Sequence, residues 1–206
     1  MNQKFFELPE EKRTRIINSA IEVFSQNDYK HASTDDMAAK AGISKGLLFY
    51  YFHNKKELYL YIYDYVGEYL KSKIMDSHYD DITDFFEILE YSAQVKVEIL
   101  TNNPYIMDFA IRAFFSQNEE VSDNMKEIIK RDIDEAYGKY FTRIDYSKFK
   151  EDVDVPKVVQ MLTWMADGYL HGKQLAKEPV TINEMMEEYC IWTDMFKKLI
   201  YKEEFL

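Results

Sequence analysis

One cysteine, four histidines, six glycines and four prolines are all that 206 residues offer of the types that staple, ligate or punctuate a chain. Cys190 alone cannot close an internal disulfide, which fits a reducing compartment and leaves the residue to packing. His31, His53, His78 and His171 lie far apart, without the i, i+4 pairing or cysteine neighbours of a metal site. Neither a phosphate-cradling glycine loop nor a nucleophile elbow is present. Asp80, Asp81, Asp84 and Glu87 crowd a helix start, where the helix dipole accounts for them. Catalysis, a cofactor and a metal are therefore not expected. With no apolar leader after Met1 and no uncharged run long enough to span a bilayer, the expected location is cytoplasmic and away from membrane.

So few glycines and prolines leave little room for turns, and no strand pattern appears. The expected class is all-α. At 47% hydrophobic residues the chain can bury a substantial core. The net charge of −11 is unevenly spread: residues 1 to 60 carry nine Lys and Arg against eight Asp and Glu, the remainder 17 against 29. Any surface for a polyanion must be local to the first quarter, and a histone-like coating role is excluded.

Residues 33 to 55 hold the densest signal. Ser33 is placed to cap a helix, with Asp36 three residues on as a capping-box-like acid. Met37, Ala38 and Ala41 bury one face of that helix, Gly42 ends it, Ile43 plugs the gap and Ser44 caps the next. This is the punctuation of a helix-turn-helix. On the second helix, a 100° step per residue turns Leu48 and Phe52 inward and Gly46 and Tyr50 outward, with Leu47 and Phe49 flanking. A glycine on the outward face admits close approach of another backbone. Lys45, Tyr50, Tyr51 and Lys55 add the charge and hydroxyl donors that phosphates and groove edges require.

The string from Ala41 to Leu58, A-G-I-S-K-G-x-L-F-x-Y-F-x-x-K-x-E-L, resembles the DNA-binding signature of the TetR family of bacterial transcriptional regulators. The resemblance covers roughly residues 9 to 60. It implies a three-helix head over residues 1–54 and a helical effector-binding and dimerisation body over 55–206. It further implies that Ser33 and Thr34 stand near phosphates, that Ser44, Lys45, Gly46, Leu47, Tyr50 and Tyr51 belong to the recognition helix, and that Lys55 reaches a phosphate. Phe49 departs from the family, which usually has tyrosine there, so one hydroxyl contact is missing. Leu47, often polar in relatives, is suited to a thymine methyl.

Beyond the head, helical stripes continue. A first helix from about Pro9 carries Ile16, Ile17, Ala20, Ile21 and Phe24. Long helices are expected from Lys55 to about Met75, from about Asp81 to Leu100, from Glu120 to Phe141, from Val155 to Lys177 and from Thr181 to Tyr201, with a short one from Tyr105 to Phe115. The body is rich in large, adaptable side chains: Tyr65, Tyr69, Phe86, Tyr91, Met107, Phe109, Phe114, Met125, Tyr137, Trp164, Met165 and Tyr169. Each one can simply fill core, but together they suit an apolar pocket, and Asp108 and Asp167 beside them admit a cationic aromatic ligand.

The last two helices carry seams at spacings of three and four: Val158, Leu162, Met165 and Tyr169, then Met185, Tyr189, Trp192, Phe196 and Leu199. A second line of Met186, Cys190, Thr193 and Ile200, with Gly168 and Gly172 allowing close approach, leaves this end more apolar than its own core demands. The resemblance implies that two such helices from each subunit build a four-helix dimer interface. The leading expectation is a homodimeric regulator bound to a pseudo-palindromic duplex operator and released by an apolar or aromatic small molecule. The alternative from another class is a DNA-bound interaction protein that recruits or blocks a protein partner without a small effector.

Overall fold

The helices start and stop where a side chain can hold a free backbone amide. The computed structural model describes residues 1–114 and 142–206, together with residues 121, 123–125, 127, 128, 130, 131 and 138; the side chains of Ser77 and Phe114 are not among those described. The helix expected over residues 120–141 falls largely outside this range. Helix α1, Glu10–Gln26, follows Pro9 and opens on two glutamates that complement its dipole. Helix α2, Thr34–Ala41, is capped by Ser33 and closed by Gly42 at φ 67°, a left-handed value that disfavours a side chain. Helix α3, Lys45–Phe52, is capped by Ser44. Helix α4, Lys55–Ile74, starts where Asn54 Oδ1 accepts the Glu57 amide at 2.8 Å.

The helix expected from about Asp81 starts later, at Phe85, and a short helix not expected from sequence precedes it. A five-residue α5, Ser77–Asp81, stops at Ile82, and α6, Phe85–Asn102, starts afresh. Asp84 causes the break, because its Oδ1 accepts the amides of Phe86 and Glu87 at 2.9 and 3.0 Å. After Pro104, helix α7 runs to Phe114. Asp154 caps α8, Val155–Ala176, and Thr181 caps α9, Ile182–Ile200. Among the described residues there is no strand, only an isolated antiparallel bridge between Phe149 and Tyr201. The class is all-α.

Two compact units emerge. The first comprises Met1–Ser72 and Leu100–Asp132. Its core is Ile16, Ile17, Ala20 and Phe24 of α1, Met37, Ala38 and Ala41 of α2, Leu48 and Phe52 of α3, and Leu58, Tyr59 and Ile62 of α4. Helix α7 joins it: Phe109 lies 5.4 Å from the Tyr59 ring and 6.2 Å from that of Phe24, and Arg112 Nε donates to the Ser25 carbonyl at the end of α1. A guanidinium there satisfies a carbonyl the helix cannot bond itself and complements the dipole.

The second unit comprises Lys73–Ile99 and Ile133–Leu206. Its core gathers Phe85, Phe86 and Ile88 of α6, Val158 and Leu162 of α8, and Phe149, Ile200 and Tyr201. The charged segment around Phe149 is sewn into this unit. Lys150 N–H donates to Ile200 O at 2.9 Å and Lys202 N–H to Lys148 O at 3.0 Å. Lys148 Nζ reaches Asp84 at 2.7 Å with both side chains mostly buried. Burial pushes the Asp84 carboxyl up, but the bonds from Lys148 and the Glu87 amide outweigh it and hold the group below its ordinary value.

Candidate nucleic-acid interface

The turn between α2 and α3 is held from several sides. Gly42 N–H bonds back to Ala39 O at 3.1 Å, and Ile43 N–H to Ala38 O at 3.0 Å. Arg15 Nε of α1 donates to Ala41 O at 2.9 Å, and Lys40 of α2 pairs with Glu22 of α1 at 2.8 Å. Leu48 and Phe52 are buried beneath α3, as the helical phase requires. Ser44, Lys45, Gly46 and Tyr50 are exposed on the opposite face, flanked by half-buried Leu47 and Phe49. A Cβ built on Gly46 meets nothing nearer than Ser44 Oγ at 4.0 Å, so the fold itself does not demand glycine there.

Other side chains named from sequence are already engaged. Tyr51 is buried, its ring 5.8 Å from Phe5 and 5.6 Å from Tyr50. Ser33 is half-buried and uses its Oγ to cap α2, accepting the Asp36 amide at 3.2 Å; Thr34 is half-buried at the first helical position. Lys45 pairs with Asp35 across the turn at 2.7 Å, an exposed bridge a phosphate can displace. Lys55 differs more from expectation. Its Nζ donates at 3.1 Å to the carbonyls of both Lys30 and Ala32 and sits 4.8 Å from the centre of the Tyr29 ring, so it braces the loop between α1 and α2.

That geometry sets a test. Lys55→Met is expected to cost about 1–2 kcal/mol of stability once solvent screening is allowed for, besides any loss of DNA affinity. Thermal melts run beside salt titrations separate the two roles. A melting midpoint equal to that of the parent would remove the loop brace.

Two features of this region escape the sequence reading. His53 has φ 54° and ψ −45°, and Asn54 N–H reaches Phe52 O at 2.5 Å across it, a γ-turn that costs about 1–3 kcal/mol for a residue with a Cβ. The imidazole is held by Glu57 at 2.8 Å, one turn into α4. The pair His53-Asn54 straight after an aromatic helix was the available signal, since both types tolerate positive φ better than most. The second feature is Phe5, fully buried among Phe52, Tyr61 and Tyr51. Its signal was two adjacent phenylalanines ahead of Pro9.

The residues named for a ligand pocket divide between the two units. In the first, Phe109 and Met125 are core, Tyr65, Tyr69 and Met107 are half-buried, and Asp108 is exposed. In the second, Phe86 is core, packed on Phe85 and Tyr201, while Tyr91 Oη donates to Asp76 at 2.8 Å. Tyr169 packs against Trp192 at 6.1 Å, Met165 is half-buried, and Trp164 and Asp167 face solvent. The Phe114 side chain and Tyr137 lie outside the described residues.

Interface residues named from sequence also sort by burial. Val158, Leu162 and Ile200 lie in the core of the second unit, and Trp192 and Phe196 pack onto it, because α8 and α9 turn those positions inward. Met185, Met186, Tyr189 and Thr193 are half-buried; Cys190, Gly168 and Gly172 are exposed. The apolar surface that remains keeps Leu199 and the two glycines of that set but is otherwise a different stripe: Met161, Trp164 and Leu175 on α8, in line with the glycines, and Ile191, Met195 and Leu199 on α9. Trp164 is 58% exposed, Ile191 53%, Met195 55% and Leu199 64%. Single exposed apolar residues are ordinary, but a stripe along two neighbouring helices is not. Lys173 ties this hairpin, pairing with Glu178 at 3.0 Å and Glu184 at 3.3 Å.

Among the described residues no helix is long and apolar enough to cross a membrane, and no group of three or more acids, histidines or cysteines is arranged to hold a metal. The family profile of bacterial regulatory proteins, tetR family, matches residues 16–62, which span α1 to the first turns of α4. The chain is 28% identical over 132 residues to the HTH-type transcriptional activator FasR of Mycolicibacterium smegmatis, matching 64% of this chain and about half, 52%, of that relative. It is 27% identical over 135 residues to IcaR of Staphylococcus aureus, the negative transcriptional regulator of the biofilm operon icaADBC, covering 60% of this chain and 70% of that one. Its fold is similar to SmeT, the repressor of the Stenotrophomonas maltophilia multidrug efflux pump SmeDEF, with TM-score 0.72, 18% identity and coverage of 97% and 93% of the two chains. Those relatives are regulators of transcription, not enzymes. The helix-turn-helix geometry and these likenesses together assign residues 16–62 to the tetR family of bacterial regulatory proteins, and the chain as a whole shares the fold of SmeT.

Proposed function

We propose that this regulator is a cytoplasmic homodimer that binds a pseudo-palindromic operator and is released from it by an apolar or aromatic small molecule. The observation that carries the DNA-binding reading is the outward face of α3, where Lys45, Gly46 and Tyr50 are exposed above a fully packed inner face. Functionally the division falls near residue 54, with the reading head before it and the effector and dimer functions after it. Leu47 and Tyr50 meet base edges, while Ser33, Thr34, Ser44 and Lys45 meet the backbone. A dimer seated on an operator occludes the duplex, which is the basis for reading it as a repressor; IcaR is named a negative regulator and FasR an activator.

SmeT forms a complex with triclosan, an aromatic compound, which supports an aromatic effector here. Effector and operator would each favour one separation of the two heads, so each lowers the affinity of the other by the same factor, about 1–3 kcal/mol in typical cases. Helix α4 carries Lys55 at one end and Tyr65 and Tyr69 further along, and the bond from Arg112 of α7 to Ser25 adds a second tie to the head within the same unit.

Gly46→Ala tests the assignment through two changes of opposite sign. A methyl group on α3 meets open space in the free protein, and alanine favours helix, so stability should rise by about 0.5–1 kcal/mol. The same methyl group should clash with a closely approaching duplex and cost operator affinity, about 1–3 kcal/mol being the scale of a base contact. Denaturant melts and binding to a duplex selected from a randomised pool read both. Undiminished affinity in a stabilised variant would take α3 off the DNA.

A further inference from the structure

We propose that Lys4 is an additional contact to the DNA backbone, carried to the edge of the recognition surface by an N-terminal arm that Phe5 locks against the end of α3; this rests on the DNA-binding reading above. The arm is built, not draped. Residues Gln3–Phe5 form one 3-10 turn, capped by Asn2, whose Oδ1 accepts the Lys4 amide at 3.0 Å. Asn2 N–H donates to Tyr51 O at 2.7 Å, satisfying a carbonyl in the last turn of α3 that has no partner further along the helix. Phe5 fills the space below, with ring centres 4.7 Å from Phe52 and 5.4 Å from Tyr61. Arg13 Nη1 holds the far side of the turn through the Phe6 carbonyl at 3.3 Å.

Rigid anchors on both sides of Lys4 fix where its backbone stands, while its side chain stays in solvent. The arm meets the recognition face through Tyr51: Asn2 is bonded to its carbonyl, Phe5 lies 5.8 Å from its ring, and that ring is 5.6 Å from exposed Tyr50. The hydrogen bond to Glu7 raises the pKa of the Lys4 ammonium. Glu7 is its partner at 2.7 Å, an exposed i, i+3 pair of the kind worth little in water.

In a segment whose net charge is only +1, Lys40 is paired with half-buried Glu22 and Lys55 is spent on loop carbonyls, whereas Lys4, like Lys45, sits in an exposed bridge that a phosphate can displace. A duplex presents one negative charge per about 1.7 Å of axis, and release of its counterions favours exchange of Glu7 for a phosphate. The arm thereby serves twice: Phe5 and Asn2 set the end of α3, and Lys4 ties that end to the strand it faces.

The test is a salt titration of full-length protein on a duplex selected from a randomised pool and on an unrelated duplex. Lys4→Ala should weaken both alike and make the logarithmic salt slope shallower by about 0.9 per head. Lys4→Arg should restore the slope, and Glu7→Gln, which removes the competing carboxylate, should tighten binding to both duplexes. Unchanged affinity and slope for Lys4→Ala, in a preparation where Tyr50→Ala does lose affinity, would overturn the arm contact and leave the recognition helix standing. Failure of the parent protein to bind any duplex would overturn both readings. Since Lys4 is exposed, melting midpoints of the Lys4 variants should match the parent; a lowered midpoint accounting for the lost affinity would also overturn the contact.

Discussion

Met195→Asp is expected to leave the protomer folded, to dissociate the proposed dimer and to remove most of its affinity for an operator. Met195 is 55% exposed in the isolated chain, so a carboxylate there is hydrated and costs the protomer little. In the proposed dimer, where Met161, Trp164, Ile191, Met195 and Leu199 pack against the same stripe of the partner, the carboxylate and its symmetry mate are both buried among apolar side chains. Burying unpaired like charges in an apolar interface costs several kcal/mol, comparable to the net stability of many dimers. Loss of the dimer then reaches the DNA: two tethered heads gain about 10²- to 10⁴-fold over one through effective concentration, and a monomer forfeits that factor. Sedimentation velocity, circular dichroism and operator binding together decide the matter. A folded Met195→Asp protein that stays dimeric would move the interface off this stripe.

Tyr201→Ala is expected to destabilise the protein by about 3–5 kcal/mol, the range for deleting a buried aromatic side chain. Tyr201 is fully buried, its ring 4.9 Å from Phe149 and 5.0 Å from Phe86. It also anchors the pairing of the chain end with residues 148–150, so a cavity there undoes the two backbone hydrogen bonds beside it. Against a typical total of about 5–15 kcal/mol, that loss is a large share. Tyr201→Phe separates ring from hydroxyl. The Oη is buried and makes no hydrogen bond of ordinary length and angle among the described residues, although burial and the nearby Asp84 carboxylate push its pKa up, so its removal should cost about 1 kcal/mol or less. Urea denaturation at fixed protein concentration checks both variants. A loss below about 1 kcal/mol for alanine would mean that the tail only lies on the second unit.

Much of the head could be read from residue types because helix caps act locally. Ser33, Gly42 and Ser44 each bond a backbone group within five positions of themselves, and the phase of α3 follows from 3.6 residues per turn. Asp84 shows the same logic narrowly missed. Acids at a helix start suit the dipole, but a cap bonding the amides two and three residues on also requires that no helix run through it, and α5 and α6 are separate for that reason.

Helical class, the helix-turn-helix and the outward placement of Gly46 and Tyr50 were set by the sequence alone, since each depends on contacts a few residues long. Only the tertiary structure decided which apolar stripes are core and which are surface. Spacing of three and four marks a helix face without saying what covers it: Val158, Leu162 and Ile200 share the rhythm of Met161, Met195 and Leu199, yet the first three are buried and the others face solvent. It also decided that Lys55 braces a loop 23 and 25 residues away, that Phe5 closes the end of α3 and that Tyr201 returns to Phe149. Such pairings are non-local. They depend on where folding carries distant parts of the chain, and no local pattern of residue types encodes that.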